Sequence, residues 1–92
     1  MASNHLVAVL GQVERLADGL GIPFEVFMPL VEASITNVAE LGPHKALTGP
    51  AARGDIGTIG KHREALEARH PDELAGYDAL VERAVRLART ED

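Results

Sequence analysis

A chain of 92 residues with 46% hydrophobic side chains, but only two Phe, one Tyr and no Trp, predicts one small domain with an aliphatic core, a composition that favours packed helices over a sheet. A net charge of −5, nine dispersed basic residues and few aromatics exclude a phosphate-tracking stripe and a base-stacking platform, so nucleic acid is not an expected partner. No cysteine is present, which removes disulfide and thiol chemistry, and the run Leu6 to Leu10 is too short to cross a bilayer; a cytoplasmic chain without membrane contact is expected.

The positions Leu6, Val9, Leu10, Val13, Leu16, Ala17 and Leu20 keep the three-and-four spacing of one helical face, predicting a first helix from Ala2 to Leu20. Gly21 suits the left-handed residue past its end. At its start, either Ser3 caps the helix or the helix is cut from a longer one. Pro23 suits the first turn of a second helical segment carrying Phe24, Phe27, Met28, Val31, Ile35 and Val38. Pro29 lies inside that pattern and is expected to divide it into a short helix near residues 23 to 27 and a longer one from about Met28 to Leu41. A second row, Leu30, Ser34, Asn37 and Leu41, predicts burial of the longer helix on more than one side, with Ser34 and Asn37 either touching something polar or hydrogen-bonded locally.

Leu41-Gly42-Pro43 ends that helix, and His44-Lys45 leads into the stretch 46–55. A third helix is predicted from about Asp55 to Arg69, its inward face being Ile56, Ile59, His62 or Arg63, and Leu66. Gly57 and Gly60 each cost about 1 kcal/mol relative to alanine in a helix, which points to close approach by another backbone or a ligand. Pro71, Asp72 and Glu73 form a strong start for a fourth helix that buries Leu74, Tyr77, Leu80, Val81, Ala84, Val85 and either Leu87 or Ala88. The expected architecture is all-α, a compact bundle of four to five helices forming one domain over residues 1–92. A chain this short buries only about two-thirds of its unfolded surface, so an interface is expected to supplement its core.

The stretch Ala46 to Asp55 differs from its surroundings. Gly49, Pro50 and Gly54 shape its backbone around Thr48, Arg53 and Asp55, which makes it the natural place for a site. Pro50 suits the first position of a short helical turn that Gly54 ends, and Asp55 can cap the next helix through the amides of Gly57 or Thr58. Arg53 either forks a carboxylate or phosphate, caps the preceding turn, or pairs with an acidic neighbour. The four histidines, His5, His44, His62 and His70, lack metal-ligand spacing. No nucleophile elbow occurs, and neither Gly-x-Gly-x-x-Gly nor Gly-x-x-x-x-Gly-Lys is present, so no cofactor is expected to bind this chain by itself.

The string Leu47-Thr48-Gly49-Pro50-x-x-Arg53-Gly54-Asp55, followed by Thr58 and His62 and preceded by Ala2-Ser3-Asn4 and Thr36-Asn37, resembles the C-terminal helical domain called domain of unknown function 2520. The resemblance covers essentially the whole chain. In that family the domain follows a Rossmann-like NAD(P)-binding domain, and the whole is similar to the superfamily of 6-phosphogluconate dehydrogenase, ketopantoate reductase and pyrroline-5-carboxylate reductase. It implies a helical substrate-binding and dimerisation domain of an NAD(P)-dependent oxidoreductase, inactive alone and acting with a Rossmann-like domain in the same or a partner chain. A homodimer and a small-molecule substrate are implied with it, and the alternative is a free-standing dimerisation or protein-interaction module. By resemblance, Asn4 falls where relatives place a polar side chain facing the nicotinamide, although the lysine many of them carry one turn earlier has no counterpart here. Thr48, Gly49, Pro50, Arg53 and Asp55 would close the substrate pocket: Arg53 orients an anionic group, and Thr48 with the amides around Gly49 meets a carbonyl or hydroxyl. His62 would hold or relay a proton. The plainer alternative has Thr48 capping a turn, Arg53 paired with Asp55, and His62 satisfied within the core.

Overall fold

Prolines and glycines decide where each helix begins and ends in the computed structural model, which describes residues 1–89. These residues form α1 (Ala2–Gly19), α2 (Met28–Leu41), α3 (Pro43–Ala46), α4 (Pro50–Arg53), α5 (Ile56–Arg69) and α6 (Leu74–Arg89), with 3-10 turns at Phe24–Phe27 and Pro71–Glu73. No strand occurs among the described residues, so the chain is all-α. Six helices replace the expected four to five: Pro50 opens the turn expected to end at Gly54, and Pro43 opens a further single turn in what reads as loop.

Two packed units divide the chain, Met1–Ala33 and Ser34–Asp92. In the first, α1 packs against the turn Phe24–Phe27 and buries Ala17, which is 2% exposed. The Ile22 amide donates to the Ala17 carbonyl and the Gly21 amide to the Asp18 carbonyl, closing α1 as the glycine takes φ 70°. That is the ending expected of Gly21. Ser3 does not cap α1: the helix begins at Ala2 without a side-chain cap, and the Ser3 hydroxyl lies 3.5 Å from Asn4 Oδ1. Pro29 acts as expected, falling at the second position of α2 directly after the 3-10 turn.

In the second unit α4 packs against both α5 and α6, α5 against α6, and α3 against α6. Leu66 of α5, 7% exposed, is its most buried large side chain, and covering a leucine is worth about 1.5–3 kcal/mol. Two polar rungs tie α5 to α6: His62 to Tyr77, and Arg63 to Asp78 with Nε and Nη2 donating to the two carboxylate oxygens at 2.8 and 3.0 Å. His44 Nδ1 donates to the Leu87 carbonyl at 2.8 Å and anchors α3 on α6. Glu82 and Arg86 pair at 2.8 Å along α6, as their spacing predicts.

Three expectations are corrected. Every residue of α2 from Glu32 to Leu41 is exposed, including Ser34, Asn37, Val38 and Leu41, so this helix is not buried on several sides. Its two apolar rows report sequence spacing, whereas burial requires a neighbouring element to cover them. Ile56 is 81% exposed rather than inward-facing, because it begins α5 one residue after the cap, and His62, Arg63 and, on α6, Leu80 are exposed as well, which leaves Ile59 and Leu66 as the inward face of α5. Nothing lies within 4 Å of a Cβ built at Gly60, and only the Asp55 carboxylate approaches one at Gly57, so this chain's described residues make no close backbone approach there.

Candidate functional site

The Thr48 to Asp55 segment is held in shape by its two glycines. Gly49, at φ 99°, precedes α4, whose first position is Pro50, and the Arg53 amide donates to the Gly49 carbonyl at 3.2 Å. Gly54 ends α4 at φ 69°, ψ 29°, with its own amide donating to Ala51 and the Asp55 amide donating to Pro50 at 2.8 Å. A side chain at that left-handed position would cost about 1–2 kcal/mol. Asp55 then caps α5: Oδ1 accepts from the Thr58 amide at 3.1 Å and Oδ2 from the Thr58 hydroxyl at 2.7 Å. Of the two amides expected to bond Asp55, Thr58 is the one used. These Thr58 bonds, helped by Arg53 with Nη2 at 3.5 Å from Oδ2, hold the Asp55 carboxyl below its ordinary pKa. Thr48 does not cap α4, because Gly49 occupies that place and no side chain bonds the turn.

This scaffold opens on a cleft of about 260 Å³ lined by Thr48 and Pro50 from the segment, Ile59 and His62 from α5, and Tyr77 and Leu80 from α6. Its polar centre is His62, whose Nδ1 lies 3.0 Å from the Tyr77 hydroxyl, with the rings edge-to-face at 5.9 Å between centroids. With the imidazole proton on Nε2, the phenol donates to Nδ1; with a proton on Nδ1, Nδ1–H donates to the phenol oxygen. The contact therefore suits either tautomer of the ring. Partial burial pushes the Tyr77 hydroxyl above its ordinary pKa, Asp78 adds in the same direction, and Arg63 opposes both. The arrangement pairs a proton-carrying group with a hydroxyl, Thr48, on an otherwise apolar wall, which is suited to meeting a carbonyl or alcohol oxygen.

Of the residues expected at a site, Thr48, Pro50 and His62 line this cleft together, and Gly49 and Asp55 shape the segment beside it. Arg53 lines a neighbouring cleft, and Asn4 is an exposed residue of α1 in the first unit. Tyr77 was expected only as an apolar position of the last helix. Its alignment with His62 across two helices joined by the 70–73 turn has no local sequence signal.

With this geometry in view, residues 1–84 match the family described as Domain of unknown function (DUF2520). The chain belongs to that family. No curated protein and no solved structure matches it. The segment from Leu47 to Asp55 lies within the matched residues and gives Thr48, Pro50 and Ala51 to one wall of the His62–Tyr77 cleft. No strand occurs among the described residues to feed a glycine-rich turn, and α4 is a single turn of four residues. No group of three His, Asp or Glu side chains placed to hold a metal ion occurs among them. No helix among them is long and apolar enough to cross a membrane.

Proposed function

We propose that this DUF2520 chain is the helical substrate-side and dimerisation domain of a cytoplasmic NAD(P)-dependent oxidoreductase whose dinucleotide is carried by a Rossmann-like domain. The observation that carries the reading is the His62–Tyr77 pair set beside Thr48 in a cleft walled in part by the 47–55 segment. At about 260 Å³ the cleft falls just short of the roughly 300 Å³ at which small-molecule sites begin, as one wall of a shared pocket would. Within it the apolar residues contact the substrate, Thr48 orients a substrate oxygen, and His62 holds the proton exchanged there with Tyr77 behind it. The reaction class, hydride transfer, belongs to the complete protein and rests on the superfamily resemblance.

The chain alone is expected neither to quench or enhance NADPH fluorescence nor to oxidise NADPH with any small carbonyl compound. Addition of the matching Rossmann-like domain is expected to bring turnover that His62→Gln lowers by about 10²-fold or more. Turnover by the isolated chain would refute the division of labour.

The exposed apolar row of α2 favours a second reading, a free-standing interaction module. It predicts that replacing Thr48 and His62 leaves partner capture intact while Leu30→Asp or Leu41→Asp abolishes it. The reductase reading predicts loss of turnover from the first pair of changes.

A further inference from the structure

The second cleft of the 34–92 unit has a different chemistry from the first. It is an open cleft of about 440 Å³, inside the roughly 300–1,000 Å³ range of small-molecule sites, with an aliphatic lining that includes Ile56, Ile59, Val85 and Ala88. Its charged lining residues are Arg53 and Arg89, and no carboxylate lines it among the described residues. In a chain with 14 acidic against nine basic residues, a lining whose charged described residues are both arginines runs against the average, with the Asp55 carboxylate the acidic neighbour of Arg53. Both guanidiniums are placed by backbone: Arg53 ends α4 at the Gly54 turn, and Arg89 shares one face of α6 with Val85, four residues earlier. Arg53 approaches Asp55 at 3.5 Å with 62% of its side chain exposed, a weak surface pair that leaves donors of the five-donor guanidinium for a ligand. Ile56, 81% exposed, stands in water beside them.

We infer that this cleft binds a small amphipathic anion, a carboxylate on a short aliphatic chain, with its head held by Arg53 and Arg89 and its tail laid over Ile56, Ile59 and Val85. The inference goes beyond the proposed reductase role, since the two clefts share only Ala51 and Ile59 and none of their polar groups. The charge of the wall selects an anion, and the aliphatic lining selects a tail over a bare ion.

The test is an NMR titration of the isotope-labelled 92-residue chain with sodium octanoate, using octanol and acetate as controls. Saturable shifts are expected at the amides of residues 51–59 and 85–89, and binding should weaken about tenfold or more with octanol, acetate, Arg89→Gln or Ile56→Ser. Both substituted residues are exposed, so unchanged signals elsewhere in the spectrum report an intact fold. Absence of saturable shifts, equal binding of octanol, equal binding of acetate, or indifference to Arg89→Gln would each overturn the inference. None of these outcomes touches the reductase reading, whose readout is nicotinamide-dependent turnover.

Discussion

Asp55 carries the clearest electrostatic consequence at the scale of a residue. Its carboxyl is held below the ordinary value of 3.8 by Thr58 and Arg53, so the unfolded chain binds more protons than the folded one at acid pH. The stability it contributes is fully present above 3.8 and is lost as pH falls through the lower folded value. Thermal midpoints measured down the acid limb should therefore fall less steeply in Asp55→Asn than in the parent. Tyr77, the chain's one tyrosine, allows a cleaner readout. Its folded pKa is raised above 10.0, so its contribution is present below 10.0 and lost as pH rises through the folded value; the tyrosinate absorbance should appear at higher pH in the folded chain than after denaturation. Tyr77→Phe should cost about 1 kcal/mol, shift the His62 ring 15N resonances, and leave the helical signal unchanged.

Among the elements, α4 is the one on which the site depends most, because its single turn is set by backbone geometry more than by burial. Gly54→Ala would force a side chain into φ 69° and should cost about 1–2 kcal/mol, lowering the thermal midpoint by roughly 5–15 °C in a domain of this size. A midpoint unchanged by that substitution would mean the turn is not held as described. The limits of α1, α2 and α5 were legible because each ends or begins at a residue with one strong backbone preference: Gly21, Pro29 with Gly42, and Asp55. The turn α4 was legible from Pro50 and Gly54 at its two ends; less legible was α3, since one turn of four residues has too few positions to show a period and Pro43 alone signals it. The apolar rows of α2 misled for another reason. Spacing marks which residues share a face, but a face is buried only where another element lies on it, and residues 32–41 are exposed.

For the whole molecule, the large hydrophobic side chains left in water include Ile35, Val38 and Leu41, on the part of α2 that belongs to the 34–92 unit. If that row is the dimerisation surface the proposed function requires, sedimentation should find a dimer at micromolar concentration. Leu41→Asp should convert it to monomer without loss of helical signal, since the residue is exposed. A monomeric parent chain would remove α2 from that role. Composition and spacing alone determined that the chain is helical, that its core is aliphatic, and that Leu47 to Asp55 is a shaped polar segment, because helical periodicity, proline and glycine preferences and capping act over only a few residues. Only the tertiary structure decided which side chains meet. His62 with Tyr77, Arg63 with Asp78, His44 with Leu87, and Arg53 and Arg89 in one cleft all depend on how α3, α4, α5 and α6 pack. Contacts of that kind join residues up to 43 positions apart, and no local preference of the chain encodes them.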